Sequence, residues 1–193
     1  ACLDIKDGKV VKGVRFIYIK QVGDPIERAK LYAQGGADEL CFYDISASVE
    51  GRILFTDLLA RMVKAVDLPV SAAGGVHTAD DFARVMDTGV VKVSMNAGAL
   101  QNPYLVEECA RRFGKERVVV AVDVDLVNGS YHCFNQAGAN DTGIETLGWL
   151  KRAEEMGAGE ILVIAIHTDG VRGGYNIPLL KQVCDTVSIP VVA

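Results

Sequence analysis

Short apolar runs rich in β-branched residues alternate along the chain with amphipathic segments of helical spacing. This alternation predicts a parallel sheet covered by helices. Strands are expected near residues 1–4, 39–44, 69–73, 91–95, 117–123, 160–166 and 190–193. Helices are expected near residues 25–34, 54–66, 79–87, 103–112, 144–156 and 177–186. The chain is therefore assigned to the α/β class.

Local signals mark several element boundaries. Asp24-Pro25 and Asn102-Pro103 each offer a helix N-cap followed by a proline at the first helical position. Asn128-Gly129 lies between alternating apolar and polar residues, which predicts a β-hairpin over residues 124–134, directly after the fifth strand.

An internal repeat relates two parts of the chain. Residues 36–40 recur as residues 157–161, and residues 68–70 recur as residues 189–191, both at a shift of 121. Four strand–helix units in each half predict a (β/α)8 TIM barrel built from two half-barrels. The glycine pair, helix and eighth strand that would complete the second half do not follow in this sequence. We therefore expect a single, incomplete barrel domain over 1–193, truncated after strand 7.

Composition restricts the function classes. The net charge of −5 provides no general attraction to nucleic acid or to an anionic membrane. The five cysteines lack the spacing of a metal site or of a disulfide framework, which favours a reduced, cytoplasmic setting and no metal. The longest apolar run, residues 161–166, is far shorter than the ~18 residues of a membrane span.

Asp4 and Asp123 each end an apolar strand and precede a turn. The carboxyl ends of barrel strands converge on one face, where active sites are built. Two carboxylates in different environments can differ in pKa, so this pair could act as general acid and base in a ring closure or elimination. The alternative is that each aspartate only caps the turn after its strand.

Glycine-containing turns and a lysine could hold an anion at the same face. A glycine pair ending at Gly75 follows the third strand, and Asp169-Gly170 follows the sixth; such turns can present backbone N–H groups. Lys12 lies beyond the first turn and could bind phosphate as a point charge or remain solvated. Turns of this kind in both halves would suit a substrate with two phosphates.

A set of motifs runs the length of the chain. It comprises ACLDIKDGKVVKG at 1–13, GDP at 23–25, DEL at 38–40, YDISAS at 43–48 and GAGEIL at 157–162. The set resembles the cyclase-subunit family of imidazole glycerol phosphate synthase (HisF). Cys2, before the aspartate of the first strand, distinguishes the chain from the sister sugar-phosphate isomerase family.

The resemblance implies a lyase of histidine biosynthesis that needs no cofactor. It would use ammonia from a glutaminase partner, the HisH subunit, to close the imidazole ring of a bis-phosphorylated formimino-aminoimidazole carboxamide ribonucleotide (PRFAR). The products would be imidazole glycerol phosphate and aminoimidazole carboxamide ribotide (AICAR). The catalytic aspartates of the family match Asp4 and Asp123. Its phosphate-site or substrate-site positions match Lys12, Asp44, Gly75, Asn96, Asp169 and Gly170.

Three charged residues are expected at the opposite ends of their strands. By resemblance, Glu39, Lys92 and Glu160 belong to a charged ring around the ammonia entrance, whose fourth member, an arginine, would precede Ala1. Without the resemblance, three charged residues at the base of a barrel predict only a stabilising ion network.

The chain also departs from the pattern that it resembles. Ala97 replaces a threonine at a phosphate site, Ile164-Ala165 replaces Thr-Ser at the tip of strand six, His167 replaces an aspartate, and Val91 replaces an aspartate at the glutaminase-facing surface. His167 could titrate near neutral pH beside the carboxylates or could simply fill a loop. These departures leave two alternatives open: a catalytically weakened barrel that serves as a binding or scaffold partner, and a phosphosugar isomerase of the sister family.

Overall fold

The computed structural model describes all residues from 1 to 193. The chain forms an α/β fold in which strands and helices mostly alternate. The strands are β1 Cys2–Lys6, β2 Lys9–Val14, β3 Ile17–Gly23, β4 Leu40–Asp44, β5 Val70–Ala73, β6 Lys92–Met95, β7 Val118–Val127, β8 Ser130–Asn135, β9 Asn140–Glu145, β10 Glu160–Ala165 and β11 Val191–Val192. The helices are α1 Pro25–Gln34, α2 Thr56–Ala65, α3 Ala79–Met86, α4 Ala97–Gln101, α5 Tyr104–Phe113, α6 Thr146–Glu155 and α7 Ile177–Thr186, with a 3-10 turn at Lys115–Arg117.

Seven strands form a parallel sheet in chain order, β1-β4-β5-β6-β7-β10-β11. The sheet curls into a half-barrel with helices on its convex side, a TIM-barrel-like arrangement. Because the strands are parallel, all their carboxyl ends lie at one rim. The predicted parallel strands and the six predicted helices are confirmed, with boundaries close to those expected.

The residues on the convex face of the sheet form the core with the helices. On β1, Leu3 and Ile5 are fully buried, and Phe42 on β4 lies in the same hydrophobic cluster. Side chains alternate between the faces of a strand, so the intervening residues Cys2 and Asp4 face the concave side. The helices therefore cover one face, while the concave face carries both apolar and polar side chains and is not covered by helices.

Two antiparallel hairpins depart from the simple alternation. The predicted hairpin after the fifth parallel strand is confirmed as β7–β8, and it is extended by β9, which was not predicted. The second hairpin, β2–β3, pairs with β1 and was also missed. Most of its second strand is exposed and lacks a buried stripe, so the hydrophobic pattern gave no signal there.

The helix starts confirm one of the two predicted caps. The Asp24 side chain accepts hydrogen bonds from the backbone N–H groups of Ile26 and Glu27 at the start of α1. The predicted cap at Asn102 was wrong, because no side chain makes a capping hydrogen bond at the start of α5. Asn102 instead ends α4, where its N–H donates to the Gly98 carbonyl. The short helix α4, which was not predicted, occupies the residues before it.

The β2–β3 hairpin folds onto the loop that follows β10. The backbone N–H of Arg15 donates to the Asp169 carbonyl at 3.0 Å, and Arg15 Nε donates to the His167 carbonyl at 3.1 Å. Gly170 has a positive φ, and a Cβ there would collide with the Gly13 carbonyl. This close approach brings the Lys12 strand and the Asp169 loop to one rim.

None of the helices has both the length and the apolar character that a membrane span requires.

Candidate active site

A cavity of about 1180 Å³ lies on the concave side of the sheet. Every site residue predicted from the sequence lines it. The carboxyl-end rim contributes Asp4, Lys12, Asp44, Gly75, Asn96, Asp123, Asp169 and Gly170. The amino ends of the strands contribute Glu39, Lys92 and Glu160. One continuous space therefore connects the two groups of residues that the sequence placed at opposite ends of the strands.

Asp123 is a buried acid on the cavity wall. It is 5% exposed, on β7, and its Oδ2 accepts a hydrogen bond of 3.0 Å from Asn96 Nδ2. Its other oxygen, Oδ1, is buried and has no hydrogen-bond partner. Ile164 lies opposite it on β10, and its side chain also lines the cavity without offering a donor. A charge at this position is therefore poorly compensated.

This environment changes the proton affinity of Asp123. Burial raises its pKa to about 7, and the negative charge of Asp169 adds to the rise, while the hydrogen bond from Asn96 opposes it. The carboxyl group therefore exchanges its proton in the neutral range, which is the range in which a general acid or base works best.

Asp4 lies in a different environment on β1. Its Oδ2 forms an ion pair of 2.8 Å with Lys12 Nζ, and Cys2 Sγ donates to its Oδ1 at 3.5 Å. Burial opposes the charge on Lys12, but the hydrogen bond and the charge of Asp4 outweigh it and raise the pKa of Lys12. Asp4 is therefore an ion-paired carboxylate, in contrast to Asp123.

Asp169 connects the two aspartates electrostatically. Burial raises its pKa and the charge of Asp4 raises it further, whereas Lys12 and the backbone N–H of Phe16 lower it. Its own charge in turn contributes to the raised pKa of Asp123. Asp169 is thus coupled to both aspartates, and Lys12, which is ion-paired with Asp4, also lowers the pKa of Asp169.

Tyr43, which the sequence reasoning did not single out, lies beside Asp4. The two residues are register partners on β4 and β1, and both line the cavity. Burial raises the pKa of Tyr43 well above its usual value, and the charge of Asp123 adds to this. Its phenol is therefore neutral. The only sequence signal was its position before Asp44 in the motif at 43–48.

Asp44 is held inside the protein by its own loop. It is 2% exposed, and its oxygens accept hydrogen bonds from the N–H groups of Ser46 and Ala47 and from Arg52, whose Nη1 lies 2.7 Å from Asp44 Oδ2. Arg52 also stacks over Phe55, with 4.0 Å from its Cζ to the ring centroid. Arg52 was missed in the sequence because a single loop arginine has no distinctive spacing. This bonding favours a structural role for Asp44.

The surroundings of position 75 require a glycine. It has a positive φ, and a Cβ there would collide with the Arg52 carbonyl. Its backbone can therefore approach the loop that holds Asp44.

Asn96 lies at the end of β6, where its side chain donates to Asp123 and its buried Oδ1 lacks a partner. The structure thus adds a carboxylate-positioning contact to the substrate contact that the resemblance implies for Asn96.

The three charged residues at the opposite end form an ion cluster. Lys92 Nζ lies 3.0 Å from Glu39 Oε2 and 2.9 Å from Glu160 Oε2. Burial opposes the charge on Lys92, but the hydrogen bonds that Lys92 donates to both glutamates outweigh it and raise the pKa of Lys92. The predicted cluster therefore exists as a bridged triad at the base of the cavity.

The residues that depart from the expected pattern take distinct places. Ala97, Ile164 and Ala165 line the cavity, where they offer no side-chain donor. His167 is exposed, does not line the cavity, and contributes its backbone carbonyl to Arg15. Val91 is 41% exposed, next to the lysine of the ion cluster. No group of three or more His, Cys, Asp or Glu side chains is arranged to hold a metal ion.

The curled parallel sheet, with its acids at the carboxyl-end rim, defines a TIM-barrel-like α/β enzyme. The model of the family described as "Histidine biosynthesis protein" matches residues 1–193. Proteins named imidazole glycerol phosphate synthase subunit HisF are similar over the whole chain. The proteins from Sulfurisphaera tokodaii, Metallosphaera sedula and Lactococcus lactis are 43%, 46% and 42% identical, and the matches cover 78%, 77% and 75% of their lengths. The chain belongs to the histidine biosynthesis protein family.

A stability measurement tests whether Asp44 has a structural role in addition to the substrate-site role that the resemblance implies. We expect Asp44→Ala to lower the free energy of unfolding by about 3 kcal/mol, because it leaves Arg52 without its main buried partner. Chemical denaturation followed by circular dichroism measures the change. Asp67→Ala, at an exposed loop position, is the control and should stay close to the unmodified protein. Equal stability of the two variants would show that Asp44 does not hold its loop.

The raised pKa of Asp123 predicts a pH-dependent stability. The folded state binds this proton more tightly than the unfolded state, so stability falls as pH rises from about 4 to about 7. Asp123→Asn removes this loss, and its advantage in unfolding free energy should grow across that range to at most about 4 kcal/mol. Ile164→Thr, which offers a donor beside Asp123, should reduce the pH dependence. Parallel profiles for the unmodified protein and Asp123→Asn would contradict the raised pKa.

Proposed function

We propose that the chain is the cyclase subunit of an imidazole glycerol phosphate synthase. It would combine ammonia with a bis-phosphorylated formimino-aminoimidazole carboxamide ribonucleotide to give imidazole glycerol phosphate and aminoimidazole carboxamide ribotide. The names of the relatives support the reaction class. The observation that carries the proposal is that Asp4 and Asp123 line one cavity in contrasting environments.

The contrast between these environments suggests different catalytic roles for Asp4 and Asp123. Asp123 can donate and accept a proton near neutral pH, so it would act as general acid and base during addition of ammonia and ring closure. Asp4, ion-paired with Lys12, would accept a proton on the other side of the substrate or stabilise positive charge that develops there. Asn96 would keep the Asp123 carboxyl group oriented toward the cavity.

The acidic rim restricts where phosphate groups can lie. Asp4, Asp123 and Asp169 would repel a dianion placed between them, although a proton on Asp123 weakens this repulsion. The phosphates of the substrate would therefore lie at the sides of the rim. The turns at Gly75 and Gly170, together with Lys12 and Asn96, would supply the donors there, with the reacting centre between them.

The opposite end of the cavity suggests how ammonia arrives. Glu39, Lys92 and Glu160 would form the gate, and a glutaminase subunit (HisH) bound at that end would supply ammonia. Between the gate and Asp123, the cavity wall includes Ser94, whose buried hydroxyl has no hydrogen-bond partner in the protein. Such a group could exchange hydrogen bonds with a passing ammonia molecule.

The domain organisation proposed with this function is a (β/α)8 barrel of two half-barrel repeats, of which residues 1–193 form one domain. The sequential order of the seven parallel strands supports it, as does the recurrence of residues 36–40 at 157–161. Under the repeat, Asp4 and Asp123 lie on equivalent first strands, β1 and β7, both of which continue beyond the aspartate that the sequence placed at the strand end.

A weakened barrel that binds a ligand without turnover is a second candidate. The apolar wall formed by Ala97, Ile164 and Ala165 favours it, because each residue lacks the hydroxyl that the family pattern would place there. Each lost hydrogen bond would cost about tenfold in affinity. Calorimetry with the bis-phosphorylated substrate tests this candidate, since binding without product formation would support it over the cyclase.

Ammonia-dependent turnover tests the cyclase proposal. We expect Asp123→Asn to lower turnover by about 100-fold or more, because the variant has no carboxyl group to transfer protons. Asp125→Asn is the matched control, two residues along the same strand and outside the cavity lining, and should retain the rate of the unmodified protein. Undiminished turnover by Asp123→Asn would contradict the mechanism.

A further inference from the structure

Two cysteines lie directly opposite each other on neighbouring strands. Cys2 of β1 and Cys41 of β4 are register partners, and the N–H of Cys41 donates to the Ala1 carbonyl at 2.8 Å. Neighbouring strands lie about 4.8 Å apart. This separation falls within the range of about 4.4–6.8 Å between the Cα atoms of a disulfide. The backbone therefore already has the spacing that a disulfide needs.

Both thiols point into the same space. Leu3 and Phe42, the next residues along the two strands, are buried on the convex side of the sheet. Cys2 and Cys41 instead line the cavity. The two side chains are close enough for each to shift the pKa of the other. Cys2 is exposed and Cys41 partly exposed, so small molecules in the cavity can reach them.

The two thiols also differ from the other cysteines in reactivity. Interaction with the Cys2 side chain lowers the pKa of Cys41, whereas interaction with Cys41, together with burial, raises the pKa of Cys2. Burial raises the pKa of Cys109 and of Cys133 to about 12, which keeps both as unreactive thiols. Cys184 is exposed on α7, outside the cavity. Cys41 is therefore suited to attack and Cys2 to resolve.

We propose that Cys2 and Cys41 form a reversible disulfide within the cavity, on reaction with a small disulfide such as oxidised glutathione, and that this bond lowers cyclase turnover. The Cys41 thiolate attacks one sulfur of the small disulfide and releases one thiol. Cys2 then attacks the mixed disulfide at the Cys41 sulfur and releases the second thiol. The protein loses two protons and two electrons, and the small disulfide gains them as two thiols. The effect on turnover rests on the proposed function.

The link to turnover runs through Asp4. Cys2 donates its S–H to Asp4 Oδ1 at 3.5 Å, and a disulfide has no S–H to donate. Oxidation would leave Asp4 with Lys12 as its side-chain partner. The loss of one such hydrogen bond corresponds to a three- to tenfold fall in turnover, as an order of magnitude. The pair also lies between Asp4 and Glu39, on the path from the gate to the rim.

Thiol mapping tests the disulfide without any activity assay. The chain is incubated with oxidised glutathione, its remaining thiols are alkylated, and its peptides are analysed by mass spectrometry. We expect a peptide that joins Cys2 to Cys41, glutathione on Cys184, and unmodified Cys109 and Cys133. Glutathione on Cys184 with Cys2 and Cys41 both free, or each carrying glutathione, would overturn the proposal, because the oxidant would have acted without closing the bond.

Two variants connect the bond to activity. Cys41→Val keeps the Cys2 donor to Asp4 but cannot form the bond, so its turnover should not respond to the oxidant. Cys184→Ser should still form the bond and lose turnover, with recovery after reduction by dithiothreitol. A bond that forms without any change in turnover would overturn the regulatory role. If the reduced protein has no cyclase activity, the proposed function fails, whereas the peptide map still decides whether the dithiol closes.

Discussion

The parallel curl of the sheet is the constraint on which the rest of the structure depends. The seven neighbouring strands follow one another in chain order and run in the same direction. Because they are parallel, all their carboxyl ends lie at one rim and all their amino ends lie at the base. Asp4 on β1 and Asp123 on β7 are far apart in sequence, yet they share one cavity for this reason. The Lys92 ion cluster lies at the other end of the same space for the same reason.

Burial then gives chemically similar side chains different properties. Asp123 lies beside Ile164 with one oxygen unpartnered, and its pKa rises to about 7. Asp4 is ion-paired with Lys12. Asp44, also buried, is held by Arg52 and by the backbone of its own loop. Three aspartates of one sheet are thus suited to proton exchange, to an ion pair with Lys12 and to structural support.

Much of this arrangement could be predicted from the sequence, because the apolar runs and strand-end motifs are local. The positions of Asp4 and Asp123 followed from such runs. Arg52 and the β2–β3 hairpin were missed, since Arg52 acts through a partner in a folded loop and the hairpin has no buried stripe. The pKa of Asp123 was also beyond sequence reasoning, because it depends on which side chains of β6 and β10 surround it.

The most direct test of the central claim is the titration of Asp123 itself, followed by carbon-13 nuclear magnetic resonance of labelled carboxyl groups. The signal is assigned as the one absent from Asp123→Asn. If the contrast between the two cavity aspartates is real, the carboxyl group of Asp123 titrates near pH 7. A midpoint near the usual aspartate value of about 4 would contradict it, because Asp123 would then be fully ionised at neutral pH and could not act as an acid.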